Sequence, residues 1–168
     1  NQKLVGKIKR AQGNTVDLSA NEGRLWVDIF APKSSADIIG NKKTVAAIKM
    51  YINDFPKRRN EPTFEKAILL AGLPGIGKTT AAKICATELG YRVIVQNASD
   101  SRNKADVDKF VGAVKNNTVL NNNFVTTSER CLLIMDEVDG MSGDKGGMAA
   151  LIQQIKDTRI PIICICND

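Results

Sequence analysis

The run Gly72-Leu73-Pro74-Gly75-Ile76-Gly77-Lys78-Thr79 satisfies the spacing G-x-x-x-x-G-K-[ST], and each part of it suits a bound polyphosphate. Its glycines allow tight turns that aim backbone N–H groups at phosphate oxygens. Lys78 can reach the outer phosphates, and the Thr79 hydroxyl can ligate the magnesium ion that accompanies them. A helix beginning at Lys78 would add the positive end of its dipole. The alternative is a glycine-rich turn with an accidental lysine, and it fits the flanks poorly. Ala67-Ile68-Leu69-Leu70-Ala71 reads as a buried strand entering the loop, while Ala81, Ala82, Ile84, Cys85 and Leu89 give the following helix its apolar positions.

A second set of residues supplies carboxylates. Leu132-Leu133-Ile134-Met135-Asp136-Glu137 is an apolar strand ending in two acids. Open α/β sheets bind ligands outside the carboxyl ends of their strands, which puts this pair on the ligand side. Asp136 suits magnesium, directly or through water, and Glu137 can polarise a water for attack on a γ-phosphate. Acidic residues often begin loops, so the pair becomes informative only behind a complete phosphate loop. Asn167, just past the apolar run 162–166, is the third candidate. Its amide both donates and accepts, so it can face a γ-phosphate and the attacking water. An ordinary turn asparagine is the alternative for that residue taken singly.

Strands alternating with helices must position these groups. Asn41 can cap a helix carrying Val45, Ile48, Ile52 and Phe55 at helical spacing, ended by Pro56 and the cations Lys57, Arg58 and Arg59. The spacing then predicts a strand over 66–71, a helix over 78–89 closed by Gly90, and a strand over 91–96. Val107, Phe110, Val111 and Val114 mark another helix, followed by a polar loop over 116–123. A continuously apolar strand over 131–135 implies cover on both faces. Met148, Leu151, Ile152 and Ile155 mark a further helix, and Pro161 opens the strand 162–166. This order predicts a parallel α/β sheet with right-handed crossovers. Residues 1–24 are polar and without sustained period. They read as a basic linker or the tail of an upstream region, with a short strand near Leu4–Ile8, and 25–168 reads as the nucleotide-binding domain.

Composition narrows the chemistry. The chain's 168 residues suffice for one domain with a substantial core. No window approaches the ~18 apolar residues of a membrane span, and the first residues given lack the apolar core of a secretory signal, so a soluble protein without a membrane partner is expected. Beginning without Met and stopping after an apolar run, the sequence reads as a segment of a larger protein. Histidine is absent, which excludes a His-based triad here. Cys85, Cys131, Cys164 and Cys166 all lie in apolar elements. Cys164 and Cys166 could be half a metal site, but two thiols on one face of a core strand read better as small buried hydrophobes. Residues 1–60 hold 12 Lys and Arg against 5 Asp and Glu, whereas 61–168 hold 12 against 13. A nucleic-acid partner and a solvated basic surface both explain that excess.

The phosphate loop, the acidic strand end and the strand-end asparagine together resemble the AAA+ ATPase family. Leu25-Trp26-Val27-Asp28, Pro32-Lys33 and Asp37-Ile38-Ile39-Gly40 are similar to the adenine-side box of clamp-loader subunits. Asn97-Ala98-Ser99-Asp100 is similar to their segment after the second strand. Met135-Asp136-Glu137-Val138-Asp139-Gly140-Met141-Ser142-Gly143, with Gly146-Gly147, resembles the large-subunit branch of the eukaryotic loaders, the replication factor C family. The likeness runs from Leu25 to Asp168.

That resemblance implies a P-loop NTPase three-layer sandwich, an AAA+ core lacking here its fifth strand, helical lid and collar. It implies magnesium-dependent ATP hydrolysis that drives loading of a sliding clamp onto primer–template DNA in replication and repair. Small loader subunits would complete a hetero-pentamer in the nucleus. Gly72, Pro74, Gly75, Ile76, Gly77, Lys78, Thr79 and Thr80 would hold phosphate and magnesium, ATP giving ADP. Val27, Ile38, Ile39 and Gly40 would line the adenine pocket. Glu137, Lys78 and Asn167 would be catalytic, and Thr79 and Asp136 the metal residues. The family's arginine finger comes from a neighbouring subunit and is worth about 10³–10⁵ in rate, so weak binding and poor turnover are expected of this segment alone. Lys145, then Arg102 and Lys104, are candidates for DNA phosphates, with solvated surface cations as the alternative. The clamp surface would lie near 97–123. One departure stands out: Ile29-Phe30-Ala31 precedes Pro32 where the family carries a basic–aromatic–Arg sequence, so contacts made by that Arg or Tyr are not expected. Another AAA+ ATPase of DNA metabolism, such as an alternative clamp loader or an origin or helicase-loading factor, is the alternative. A structural subunit that binds ATP without turnover is a further one, against which Glu137 argues.

Overall fold

A computed structural model describes residues 7–9, 15–17, 25–98, 119–120, 126–127, 130–143 and 145–167. Two three-residue strands, β1 (Lys7–Lys9) and β2 (Thr15–Asp17), pair antiparallel. Next come α1 (Trp26–Phe30), a 3-10 turn over Ser35–Asp37, and α2 (Lys42–Arg58). The main sheet takes β3 (Ala67–Ala71), β4 (Arg92–Asn97), β7 (Cys131–Asp136) and β8 (Ile162–Cys166). Between them lie α3 (Lys78–Glu88), the antiparallel pair β5 (Val119–Leu120) and β6 (Thr126–Thr127), a 3-10 turn over Val138–Gly143, and α4 (Lys145–Asp157). The predicted helix over 107–114 lies outside the described residues, as does most of the 116–123 loop.

The four main strands run parallel in the order β3-β8-β7-β4. Alternate residues of each strand point to opposite faces, which divides the core in two. On one face Leu132, Ile134, Ile163 and Ile165 meet α2 and α3 through Ile48, Ile52, Phe55, Cys85 and Ala86. On the other Leu133, Met135, Ile162 and Cys164 meet the Val138–Gly143 turn and α4 through Val138, Met141 and Leu151. Residues 131–135 are buried throughout, as their unbroken apolarity requires of a central strand covered twice. Burial pushes the Cys164 thiol up to about 11, consistent with a core role, and Cys166 lies partly buried along the same face.

Four local expectations are corrected. Leu69 is 61 % exposed, because β3 has a hydrogen-bonded neighbour on one side only among the described residues. Ile152 is also exposed, and the core face of α4 uses Met148, Leu151 and Ile155 instead. Asn41 precedes α2 but makes no side-chain cap; it sits at φ 48°, a left-handed conformation that Asn tolerates. Pro56 does not end α2, which continues to Arg58. Proline lacks the N–H that would bond the Ile52 carbonyl, and the Tyr91 hydroxyl donates to that carbonyl instead, at 3.4 Å.

α2 is fastened to the sheet by one phenol. The Tyr51 hydroxyl donates to the Lys66 carbonyl at 2.7 Å and accepts from the Ile162 N–H at 3.1 Å, joining α2 to the starts of β3 and β8. Burial raises its pKa well beyond the ordinary range, so the proton stays. Tyr51→Phe keeps the ring and strands both backbone groups. It should lower the unfolding free energy by ~1–3 kcal/mol in urea denaturation, with the m-value unchanged.

Candidate nucleotide-binding site

Strand register builds the site. Ala71 pairs with Cys166, so Gly72 and Asn167 each stand one residue beyond adjacent strand ends. Asn97 pairs with Asp136, which puts their side chains side by side at the same edge. All the sequence-predicted polar groups from the loop and the strand ends thus converge there.

Between β3 and α3 the backbone turns at Gly72 (φ 150°), Gly75 (φ 78°) and Gly77 (φ 88°). Gly77 is the residue immediately before α3, in a left-handed conformation that a Cβ would penalise by ~1–2 kcal/mol. At Gly72 a Cβ would lie 3.0 Å from the Ile76 side chain, which folds back over the loop. Pro74, Gly75, Ile76 and Thr80 are exposed, whereas Lys78 and Thr79 are half-buried.

The Lys78 ammonium donates to the carbonyls of Gly72 at 2.6 Å and Leu73 at 2.9 Å, and to Asn167 Oδ1 at 3.0 Å. Asn167 is in turn fixed by its own N–H, which donates to Asp139 Oδ1 at 3.2 Å. The Thr79 hydroxyl donates to Asp136 Oδ2 at 2.7 Å. Octahedral magnesium at ~2.0–2.1 Å from its ligands sets neighbouring oxygens ~2.9 Å apart, so this hydroxyl and carboxylate fit adjacent positions of one hard cation. Among the described residues no group of three His, Cys, Asp or Glu could hold a metal, so remaining ligands would have to come from phosphate or water.

Glu137 stands at φ 56°, unusual for a residue with a Cβ. Two hydrogen bonds and a buried neighbour hold it. Its N–H donates to Asp136 Oδ1 at 3.0 Å, its Oε2 accepts from Asn97 Nδ2 at 2.7 Å, and the buried Val138 anchors the next residue. Asn97 and Asp139 are the positioning residues that the sequence reading did not assign to the site. The signal was the position of Asn97 at the end of a strand, but the pairing of that strand with β7 could not be read from one sequence.

The adenine-side candidates lie on the segment 25–40, a strap that precedes α2. Val27, on α1, is 72 % exposed and Ile39 is 83 % exposed, while Ile38 packs against the α2–α3 core and Gly40 turns at φ 82°. Lys145 is the first residue of α4. Arg102 and Lys104 lie outside the described residues.

Comparison with known proteins agrees with this geometry. The profile of the ATPase family associated with various cellular activities (AAA) matches residues 68–168. The chain belongs to that family, and its fold is the P-loop NTPase sandwich of AAA+ proteins. It is similar to Replication factor C subunit 1 of Schizosaccharomyces pombe, at 43 % identity over 86 % of this chain and 17 % of that one. The human Replication factor C subunit 1 is 38 % identical over 95 % of this chain and 16 % of its own length. The Replication factor C large subunit of Methanococcus aeolicus is 38 % identical over 85 % and 28 %, respectively. The chain therefore spans well under a third of these relatives. A solved structure of C. elegans PCH-2 shares the fold, with a TM-score of 0.54 at 19 % identity over 78 % of this chain and 39 % of that one.

The Gly72 geometry makes a separable prediction. Gly72→Ala should cost ~1–3 kcal/mol of stability, mostly from the backbone at φ 150°. Adding Ile76→Ala removes the side-chain contact only, so urea denaturation of the double variant should show little recovery. Full recovery would mean that crowding, not backbone conformation, sets the cost.

Proposed function

We propose that residues 25–168 form the nucleotide-binding domain of a large clamp-loader subunit, in which 1–24 are a basic linker. The observation that carries the nucleotide reading is the meeting of Lys78, Thr79, Asp136 and Asn167 at one sheet edge, within 2.7–3.0 Å of one another in pairs. A phosphate oxygen carries more charge than a carbonyl and is the stronger acceptor, so Lys78 exchanges Gly72 and Leu73 for the outer phosphates of ATP. The backbone N–H groups of 72–79 and the start of α3 cradle the remaining oxygens. Thr79 and Asp136 would hold magnesium, which when bound neutralises charge on the phosphates.

Glu137 takes the role of orienting a water and accepting its proton, with Asn97 holding the carboxylate. Asn167, clamped by Asp139 and bonded to Lys78, is placed to contact the γ-phosphate. Val27, Ile38, Ile39 and Gly40 are assigned to the adenine side. Their apolar surface is what a purine face needs, and the solvent exposure of Val27 and Ile39 leaves that surface accessible.

Replication factor C names on relatives from fungi, animals and archaea support the clamp-loader reading. In that reading the chain works with small loader subunits in a hetero-pentamer, a sliding clamp and primer–template DNA, in the nucleus. Lys145 is the first candidate for a DNA phosphate and Arg102 and Lys104 the next. Lys145→Ala should then reduce the salt slope of DNA binding by about one ion.

The central test is a pair of variants in the assembled complex. Lys78→Ala should abolish ATP binding. Glu137→Gln should retain ATP and lower turnover by about 10²–10⁴, read as single-turnover hydrolysis. Unchanged turnover in Glu137→Gln would remove that residue from the role of base. Failure of the chain to assemble with small loader subunits and a clamp would end the replication reading.

A further inference from the structure

The helix that starts at the phosphate loop also grips the strap on the adenine side. α3 begins at Lys78 and ends at Glu88. A rise of ~1.5 Å per residue puts Glu88 about 15 Å along the helix axis from Lys78. There Glu88 Oε1 accepts the backbone N–H of Ser35 at 2.7 Å, and Oε2 pairs with the Lys49 ammonium of α2 at 2.7 Å. Lys49 closes the triangle by donating to Ser35 Oγ at 2.6 Å. Three segments separated in sequence are joined by one carboxylate.

The strap is stiff beyond that anchor. Asp37 Oδ2 accepts from the N–H groups of Lys33 and Ser34 and from the Ser34 hydroxyl, all at 3.0–3.1 Å. Placing Ser35 therefore places the whole Ser35–Asp37 turn. Ile38 follows directly, packed on the core, and Gly40 then leads into α2.

We infer that Glu88 is a positioning residue for base recognition: by fixing Ser35 to the helix that carries the phosphate loop, it sets the adenine-side residues Ile38 and Ile39 at a fixed reach from the phosphate groups. This rests on the nucleotide reading above. Lys49 beside it, then the Ser35 N–H, lower the Glu88 carboxyl from 4.5 to about 2. A folded pKa below the unfolded one means that the tie is complete above about pH 4.5 and lost as pH falls toward 2. It is intact at neutral pH.

The experiment is calorimetric titration of the full chain with magnesium ATP and, separately, with magnesium tripolyphosphate, which has no base. The variants are Glu88→Ala, Ser35→Pro and the double. Ser35→Pro deletes the N–H, together with the hydroxyl that accepts from Lys49, and suits the backbone, since Ser34 is extended at φ −136° and ψ 161° and proline is favoured at a first helical position. Each single variant should raise the Kd for ATP about tenfold, tripolyphosphate should move less than about twofold, and the double should be no weaker than the worse single. Equal losses on both ligands would make Glu88 a fold contact only and overturn the inference. So would unchanged ATP affinity in Glu88→Ala, or additive losses in the double. A wild-type chain that binds neither ligand even at millimolar concentration, where weak binding registers, would instead defeat the nucleotide reading, and this inference with it.

Discussion

Parallel pairing of β3 with β8, of β8 with β7 and of β7 with β4 fixes where the polar groups at the carboxyl edge fall. The ladder runs from Ala67 opposite Ile162 to Ala71 opposite Cys166, so the phosphate loop and Asn167 leave the sheet as neighbours. Met135 lies opposite Cys164, which carries Asp136 and the following turn past the end of the shared ladder and brings Asp139 to the Asn167 N–H. Because strand side chains alternate, a slip of one residue would turn Asp136 toward the opposite face. The apolar side chains on both faces make such a slip costly, since it would exchange buried Leu133 and Ile134 across two different cores. Site geometry is thus a consequence of hydrophobic register.

That rigidity allows the edge to hold a residue that is locally unfavourable. Glu137, a residue with a Cβ, occupies a left-handed conformation there. Left-handed backbone at a residue with a Cβ costs ~1–2 kcal/mol and persists where surrounding structure over-determines it. Here Asn97 and Asp136 bind Glu137 from one side, while Val138 and Met141 are driven into the core immediately afterwards. The turn after β7 is pinned by burial, and the strained residue is left at its mouth.

Much of this was legible in the sequence because its signals are local. The phosphate loop, the acidic strand end and the alternation of elements each depend on residues within a few positions, and β3, α3, β4, β7 and β8 fall within a residue or two of their expected bounds. What sequence could not supply is whatever depends on which element lies beside which. Leu69 looked like core because its run is apolar, yet β3 stands at an edge of the described sheet. Pro56 looked like a helix stop, yet a tyrosine 35 positions later serves the carbonyl it leaves open. Asn97 is marked locally only by its place at a strand end; its role comes from its register with Asp136. The Glu88 tie reaches back 53 positions to a backbone N–H, a group with no signature in any side-chain pattern.

The same distinction explains how charge is used. The excess of Lys and Arg in residues 1–60 suggested either a polyanion or a solvated surface, but several cations have specific partners within the fold. Lys49 serves Glu88 and Ser35, Arg58 pairs with Glu61 and stands over the Phe64 ring, and Arg59 donates to the Arg159 carbonyl. Lys66, just before β3, donates to the Lys156 carbonyl in the last turn of α4. A cation bonded to a carbonyl keeps its charge, so these contacts do not remove the long-range field. They do fix side-chain geometry at little electrostatic cost, because exposed pairs contribute only ~0–1 kcal/mol each. Basic residues such as Lys49, Arg58, Arg59 and Lys66 thus order helix ends and the turns beside them, while the acidic and amide groups at the carboxyl edge surround the phosphate loop. Parallel strands separate the two by putting every strand's carboxyl end at one edge of the sheet and every amino end at the other.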